Sequence, residues 1–265
     1  MNQSSAGYSA AMEWRSALRA APLWTNLAIE DLRDRYRRTL LGVLWVVVSF
    51  ALFVGVKIVV FGQLSGASTA EFGLYVTIGF GLWSYIISMV SDGSTAYTQA
   101  RPWIQGTATA YPVYLLQAIL RNWLIFGMTM VVMAIGLVWK HTPWTAAMLW
   151  SLPGLLTYLL TSLWLVCVLA PLCTRFRDVH QIIQNIMRVL FFATPILWMP
   201  ASNPTLAAIA QWNPASHFIA VVRDPLLYNT LPADSWYVVL AINLLGIPLG
   251  WLVYSRTRPN IIFWV

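Results

Sequence analysis

The chain alternates between long apolar stretches and short polar segments. Windows of about 20 or more mostly apolar residues occur at positions 41–62, 72–91, 112–138, 145–172, 181–199 and 236–254. A helix that crosses the hydrocarbon core of a bilayer needs about 20 such residues. The pattern therefore predicts an all-α membrane protein with six transmembrane helices. The fifth window is the least apolar, because it contains Gln181, Gln184, Asn185 and Arg188.

The overall composition supports this prediction. Hydrophobic residues make up 59% of the chain and charged residues 9%, whereas a soluble domain carries about 25% charged residues. A soluble protein of this length would need a polar surface that this sequence cannot supply. The composition therefore excludes a large soluble globule and favours a protein surrounded by lipid.

The first forty residues form a more polar arm with an amphipathic pattern. Four apolar residues recur at helical spacing on one face: Ala11, Trp14, Leu18 and Ala21. A helix of this kind is suited to lying in the headgroup layer of a membrane. We expect it to end at Pro22, and a second helix to begin near Thr25 or Asn26, which are both good helix caps.

Basic residues are distributed unevenly between the two sides that six spans would create. Of the sixteen Lys and Arg residues, eleven lie on the side of both termini, two on the other side and three within spans. By the positive-inside rule, this asymmetry places both termini in the cytoplasm. The predicted organisation is a cytoplasmic arm at 1–40, a transmembrane domain at 41–254 and a cytoplasmic tail at 255–265. The net charge of +7 follows from this topology signal and requires no nucleic-acid partner.

The segment just before the first span concentrates four arginines and two aspartates in eight residues. We expect Asp31 to pair with Arg35, and Asp34 with Arg38, because each pair is four residues apart on a helix. Two arginines would stay nearer to free: Arg33 and Arg37. Uncommitted guanidinium groups at a membrane surface are suited to phosphate binding. The alternative is that both residues only set the topology and contact lipid headgroups.

The sequence carries no motif for nucleotide, metal or catalytic chemistry. No G-x-x-x-x-G-K-[ST] segment is present, so nucleotide energy would have to come from another chain. Cys167 and Cys173 show neither metal-binding nor disulfide spacing. The nine acidic residues are dispersed, which disfavours an intramembrane glycosyltransferase, since that chemistry uses acidic groups at the membrane surface. We therefore predict no catalytic residues, no metal site and no cofactor on this chain.

Three segments of the chain carry a family resemblance. They are DLRDRYRRTLLGVLW at 31–45, APLCTRFRDVHQIIQNIMRVLFFATPILWM at 170–199 and NPASHFIAVVRDPLL at 213–227. In order, spacing and span number, the chain resembles the membrane (permease) subunits of polysaccharide ABC exporters, of the type-2 exporter family. It resembles the Wzm-type O-antigen branch in particular, with capsule and teichoic acid exporters as near relatives and alternatives.

The resemblance implies a half-transporter in the bacterial inner membrane. Two copies of such a permease pair with two copies of a separate ATPase subunit, which binds ATP and Mg²⁺. ATP hydrolysis drives a polyprenyl-pyrophosphate-linked O-antigen polysaccharide across the membrane. A small drug-like molecule is the alternative substrate for the same fold. The resemblance also places an ATPase-coupling helix after the second span, in the loop that contains Asp92, Ser94, Thr95, Tyr97, Gln99 and Arg101.

Three charged residues fall within predicted spans, where a charge usually faces a partner or water. Arg188 follows several polar residues near the cytoplasmic end of the fifth span. That end is suited to a hydrated entrance that binds the substrate pyrophosphate, together with Arg33 and Arg37. Lys57 is close enough to the outer end of the first span to reach the interface, and Arg121 could reach inward from the third span.

Aromatic residues are abundant, at fifteen Trp, eleven Tyr and eleven Phe. Sugar rings stack on aromatic faces through their apolar C–H edges, so aromatic stripes on spans predict a channel along which a glycan slides. The candidates are Trp45, Phe53, Trp83, Phe191 and Trp198. The alternative is an ordinary aromatic belt at each membrane interface, and it applies best to Trp45 and Trp198, which lie near span ends.

The segment between the fifth and sixth spans is rich in proline. It contains 36 residues, from position 200 to 235, of which five are proline. Its apolar pieces at 206–210 and 218–222 are too short to cross a membrane. They predict short re-entrant helices at the outer surface, where irregular backbone must be shielded by protein or face a wet cavity. An ordinary outer loop is the alternative.

Overall fold

The computed structural model describes residues 9–62, 68–140, 142–200 and 203–265, except for the Thr69 side chain. These ranges contain the α-helices α1 (Ala10–Arg19), α2 (Ala21–Arg35), α3 (Trp45–Gly62), α4 (Thr69–Gln99), α5 (Arg101–Gly106), α6 (Pro112–Trp139), α7 (Ser151–Arg175), α8 (Arg177–Ala193), α9 (Pro204–Trp212), α10 (Pro214–Leu227), α11 (Ala233–Thr257) and α12 (Ile261–Trp264). No strand occurs in these ranges, so the all-helical prediction is confirmed for them.

Several helical segments are long and apolar enough to cross a membrane. In the described part of the chain there are five: Gly42–Gly62, Ala70–Gly106, Pro112–Trp139, Ala146–Arg175 and Ala233–Trp264. They correspond to the predicted first, second, third, fourth and sixth spans. The prediction of a multi-pass membrane protein is therefore confirmed.

The fifth predicted span, at 181–199, has a different character. Helix α8 starts earlier, at Arg177, and ends at Ala193 after 17 residues. Thr194 is extended, because the α conformation is disfavoured for a residue that precedes a proline, and Pro195 follows it. One edge of α8 is polar, which distinguishes it from a helix with lipid on all sides. The sixth crossing therefore stays a prediction, and α8 is the helix that would provide it.

Helix α4 occupies the centre of the bundle. It packs along α6 and α7, and it also contacts α3, α8 and α10. One stripe of α4 at helical spacing is buried in the main core: Leu74, Ile78, Leu82 and Tyr85. Because so many helices pack against α4, the position of α4 determines where the candidate functional side chains on those helices lie.

Helix α11 approaches α7 closely at two glycines. A Cβ at Gly250 would lie 2.8 Å from the backbone oxygen of Trp164, and a Cβ at Gly246 would lie 2.3 Å from the Trp164 ring. Both distances are shorter than real side-chain contacts, so the approach requires glycine at both positions. Small residues four apart commonly bring membrane helices together in this way.

The N-terminal arm folds as two helices whose junction differs from the prediction. Helix α1 ends at Arg19 and α2 begins at Ala21, earlier than the expected start near Thr25. Pro22 lies in the first turn of α2 rather than after the end of α1. The physical reason is that the first turn of a helix does not use the backbone N–H that proline lacks.

Glu13 attaches α1 to the end of α11. Tyr254 donates a hydrogen bond to one Glu13 carboxylate oxygen at 2.5 Å, and Arg258 donates to the other at 2.7 Å. Ala10 shares the buried face of α1 with Glu13, whereas Leu18, which was predicted on the apolar face, is exposed. Charge-assisted hydrogen bonds are stronger than neutral ones, so this contact fixes the arm to the last long helix.

Arg121 of α6 joins three helices at one point. Its guanidinium donates to Asp31 of α2 and to Asp92 of α4, each at 2.8 Å. Gln117 also donates to Asp31 at 2.7 Å, and Asn122 to Asp92 at 2.9 Å. The Arg121 side chain is only 7% exposed, and a buried cation needs such partners. We call Arg121, Asp31 and Asp92 the three-helix ion cluster.

The three-helix ion cluster corrects two predictions. Asp31 binds Arg121 rather than Arg35. Arg121 is not a lone charge that depends on the membrane interface, because it binds two carboxylates, the partly exposed Asp31 and the less exposed Asp92. The sequence carried a signal for this contact: an arginine within an apolar run requires a partner, and Asp31 and Asp92 both adjoin spans on the same side.

Replacing Arg121 with Met should destabilise the fold by about 3 kcal/mol, since two carboxylates would lose their shared counter-charge inside the bundle. The matched control is Arg37→Met. The Arg37 side chain is 74% exposed and lies 3.9 Å from Asp34, so its loss should cost at most about 1 kcal/mol. Thermal unfolding of the detergent-purified variants, followed by circular dichroism, measures both effects. Equal midpoints for the two variants would contradict the assigned role of the cluster.

Candidate functional site

The length of α4 can be compared with the thickness of a membrane. Glu71 is exposed near the start of α4, and Asp92 lies 21 residues later in the same helix. At about 1.5 Å per residue, this separation is about 30 Å, the thickness of the hydrocarbon core. Helix α4 continues to Gln99 and α5 follows. A hydrocarbon layer that extends from Glu71 to Asp92 would leave α5 outside it, on the side of the three-helix ion cluster.

The continuation of α4 changes the predicted coupling loop. Five of its six candidate residues lie within α4, and only Arg101 belongs to α5. Asp92 binds Arg121, and Ser94 and Tyr97 are buried, so these three do not form an accessible docking surface. The polar run does not end the helix, and the Ser94 and Thr95 hydroxyls find acceptors within it, at carbonyl oxygens four residues earlier.

Three segments meet beyond the C-terminal end of α4: α5, the corner between α7 and α8, and α12. Gln105 of α5 donates to the Val265 backbone oxygen at 3.2 Å. The Arg175 guanidinium lies 5.0 and 5.1 Å from the ring centroids of Phe176 and Trp264. Around this junction, further side chains are exposed: Arg101, Trp103 and Phe263. We call the surface formed by these residues the α5 face.

Aromatic side chains from α3, α4 and α8 converge on Phe80. Its ring centroid lies 4.9 Å from that of Phe53 and 6.2 Å from that of Phe191. Trp83 lies 5.7 Å from Phe191, and Phe50 lies 6.1 Å from Phe80. We call these five residues the aromatic cluster. The structure thus brings together three of the predicted channel aromatics through Phe80, which lies three residues before Trp83 and so shares its helix face.

The members of the aromatic cluster differ in exposure. Phe53 is 51% exposed and Phe191 is partly buried, whereas Trp83 is 2% exposed. A ligand could therefore contact Phe53 and Phe191 directly. Trp83 is positioned behind them and packs in the core, so in this conformation it supports the other rings.

Trp45 and Trp198 lie apart from the aromatic cluster. Trp45 is the first residue of α3 and is exposed. Trp198 follows α8, and its indole N–H donates to the Phe192 backbone oxygen at 3.0 Å. Neither takes part in the ring contacts of the cluster among the described residues. Positions at helix ends are typical of tryptophans in membrane interface belts.

Helix α8 leaves two of its edges uncovered. Only Met187 is fully buried in this helix. One uncovered edge is polar and includes Gln181, Asn185 and Arg188, while the other is apolar and includes Ile182, Ile186 and Val189. Among the described residues, Arg188 has no carboxylate within ion-pair distance. Its guanidinium is thus available to an anionic ligand.

The arginines after α2 are arranged differently from the prediction. Asp34 lies 3.9 Å from Arg37 rather than pairing with Arg38. The reason is that α2 ends at Arg35 and Arg38 has a left-handed backbone, with φ of 65°, so the helical spacing no longer applies. Arg33 and Arg37 are both exposed. The Arg37 contact is long and solvated, so it leaves the guanidinium accessible.

Two short helices, α9 and α10, follow α8. Arg223 of α10 is buried and donates to the Pro195 backbone oxygen at 2.7 Å. Its guanidinium lies 4.1 Å from the Tyr75 ring centroid, and Tyr75 donates to the same oxygen at 2.9 Å. Sequence reasoning treated Arg223 only as an outer topology residue and missed this contact. The shared contact of Arg223 and Tyr75 with Pro195 attaches α10 and the residues after α8 to α4. The re-entrant path of α9 and α10 stays a prediction.

Metal-binding chemistry has no support in the described residues. No group of three His, Cys, Asp or Glu side chains there is placed to hold a metal ion. Cys167 and Cys173 are buried and form no disulfide.

Comparisons with known proteins agree with this architecture. The model of the ABC-2 type transporter family matches residues 23–227. The chain is 26% identical over 179 residues to the O-antigen export system permease protein RfbA of Myxococcus xanthus, across 66% of this chain and 68% of that protein. It is 21% identical over 232 residues to RfbA of Klebsiella pneumoniae, across 86% and 89%. Since the family model covers well over half of the 265 residues, the chain belongs to the ABC-2 type transporter family.

Proposed function

We propose that this chain is the permease subunit of an ABC exporter that moves a lipid-linked O-antigen polysaccharide across the bacterial inner membrane. The observation that carries this proposal is the similarity, over 86% of the chain, to a protein named as an O-antigen export permease, within a transporter family. Aromatic rings beside a polar helix edge also favour a glycan over a wholly apolar molecule, because sugars present both C–H faces and hydroxyls.

In this proposal, a partner subunit binds and hydrolyses ATP. The sequence has no G-x-x-x-x-G-K-[ST] loop to hold phosphates, so ATP and Mg²⁺ would bind to the partner. The α5 face is the proposed docking surface, because it lies beyond the hydrocarbon layer. Exposed aromatic side chains flanked by arginines are enriched at protein interfaces, and Trp103 is 56% exposed there.

A second copy of the chain would complete the passage. The polar edge of α8 would face a hydrated conduit, and its apolar edge would pack on protein or lipid. Phe53 and Phe191 would offer stacking surfaces along the conduit, with Trp83 behind them, while Trp45 and Trp198 would lie at its two ends. Many weak contacts of this kind let a polymer slide without being held at one place.

Arg33, Arg37 and Arg188 would receive the polyprenyl pyrophosphate at the cytoplasmic entrance. All three side chains are exposed. Guanidinium groups bind phosphate oxygens through two parallel N–H donors, which gives both affinity and orientation. The three-helix ion cluster supports this proposal indirectly, because it attaches α2 firmly to the bundle and so holds Arg33 near the membrane surface.

Helix α8 would provide the sixth crossing. A helix with a polar edge can cross a membrane where that edge faces a wet cavity. With six spans, both termini lie in the cytoplasm, in agreement with the excess of basic residues on that side. Helices α9 and α10 would then re-enter from the outer surface, where α10 packs against α4, α7 and α11.

Capture of an ATPase subunit tests the function and the docking surface together. The tagged chain, co-expressed with candidate ATPase subunits, should retain one of them, and the pair should show polymer-stimulated ATP hydrolysis. Trp103→Glu should reduce capture at least about tenfold, as loss of an interface anchor does. The control is Trp144→Glu, at a residue that is 81% exposed beyond the other end of α6.

The two parts of this experiment can fail separately. If the wild-type chain retains no ATPase subunit, the proposed function is wrong. If the wild-type chain and both variants retain it equally, the function stands and the docking surface lies elsewhere.

The double variant Arg33→Ala, Arg37→Ala should lower polysaccharide export about tenfold. The reason is that the substrate pyrophosphate would lose two guanidinium groups that donate charge-assisted hydrogen bonds to it. Membrane insertion should be unchanged. The control is Arg15→Ala with Arg19→Ala, which removes two exposed arginines with the same spacing from α1. Export assayed in inverted membrane vesicles measures the effect, and equal export by both double variants would restrict Arg33 and Arg37 to a topological role.

Reporter fusions test the sixth crossing. Reporters at the two ends of the chain should both be cytoplasmic, and a reporter inserted at Thr230, between α10 and α11, should be on the outer side. If α8 instead lies along the membrane surface, only five segments cross. The two ends would then be found in opposite compartments.

A further inference from the structure

Lys57 of α3 has an unusual position beside the aromatic cluster. Its ammonium lies 4.0 Å from the ring centroid of Phe53, 4.9 Å from that of Phe80 and 5.7 Å from that of Phe191. These rings belong to α3, α4 and α8, so one cation is shared between three helices. A cation over aromatic faces is stabilised by the ring quadrupoles, most strongly where water is excluded.

The Lys57 ammonium lies over aromatic rings of its own helix and of two neighbouring helices. Lys57 lies five residues before Gly62, the end of α3, which corresponds to about 7 Å along the helix. A lysine at that depth could extend its side chain to the outer interface, and the sequence predicted that it would. The structure instead places the ammonium over the rings of Phe53, Phe80 and Phe191, where α3, α4 and α8 meet, and we call this junction the groove.

No carboxylate of this chain is available to neutralise Lys57 in that groove. None of the nine acidic residues lies in α3, in α4 between Glu71 and Asp92, or in α8 after Asp178. Aromatic rings stabilise a cation but do not cancel its charge. The groove therefore contains a positive charge without an acidic partner in the described structure.

The cation lies where a ligand could reach it. Phe53 is half exposed and Lys57 is only partly buried, so the ring and the ammonium together present an accessible surface. Arg188 precedes Phe191 by one helical turn in α8 and is also exposed. Residues three apart are neighbours on a helix surface, so Arg188 adds a second accessible cation one helical turn from Phe191.

We propose that Lys57 and Phe53 form a subsite for an acidic sugar residue, and that Lys57 determines whether the conduit favours anionic glycans. This inference rests on the proposed function. The ring stacks on the sugar C–H face, and the ammonium donates to a carboxylate or phosphate on the same sugar. A neutral sugar stacks on the Phe53 ring but offers no anionic group to Lys57, so it binds more weakly at this subsite.

The test compares two polymers in the same vesicles. The chain and its ATPase are reconstituted, and export of a lipid-linked polysaccharide whose repeat contains a uronic acid is compared with export of a neutral one of similar length. Lys57→Met should lower the acidic-to-neutral export ratio about tenfold, as expected when one charge-assisted hydrogen bond is lost. Lys57→Arg should keep the ratio within about twofold of wild type, because the charge is retained.

The matched control is Lys140→Met, at the other lysine of this chain, which lies 4.0 Å from Glu71. It should leave the ratio unchanged. Normal export of the neutral polymer shows that the Lys57→Met protein is folded. An unchanged ratio in Lys57→Met overturns the inference, and so does an equal loss of both polymers. Absence of export by the wild-type chain would instead reject the proposed function.

Discussion

A charge inside an apolar bundle must be neutralised where it lies, and much of this structure follows from how Arg121 meets that constraint. It binds one carboxylate from α2 and one from α4, so the N-terminal arm becomes part of the bundle instead of resting loosely on a membrane. The same contact marks the inner limit of the apolar section of α4 and thereby places α5 outside it. Arg223 meets the same constraint with the neighbouring Asp224 carboxylate, 3.5 Å away, while its guanidinium also donates to the backbone oxygen of Pro195. Buried ionic contacts of this kind specify arrangement more than they add stability.

The sequence predicts well those helices whose ends are determined by local hydropathy. The apolar runs that became α3, α6 and α11 were found within a few residues of their observed ends, because each is set by local hydropathy. The predicted bounds are wrong where contacts between helices determine the structure. The last two turns of α4 have the polar composition of a loop, yet burial of Ser94 and Tyr97 keeps them helical. The end of α8 depends on Pro195, which a hydropathy window counts as part of the span.

In the candidate site, too, the sequence predicts single residues better than contacts between helices. Phe53, Trp83 and Phe191 could be selected individually from helical stripes, but their meeting at Phe80 involves three helices that are far apart in sequence. Asp34 does not pair with Arg38 as expected, because α2 ends at Arg35 and Arg38 has a left-handed backbone, which no spacing rule indicates. Side chains that act alone are therefore predictable here, whereas those that act through a partner on another helix need the three-dimensional arrangement.

The contact between Glu13 and Tyr254 has a consequence for assembly, because these residues are separated by 241 positions in the chain. The arm is synthesised well before its partner helix, so α1 cannot complete this contact until α11 has entered the bilayer. Until then the Glu13 carboxylate stays hydrated, and α1 remains undocked from α11. Such long-range closure is slow compared with local helix formation. Docking of α1 on α11 therefore follows the insertion of α11 and reports that this helix has reached its place.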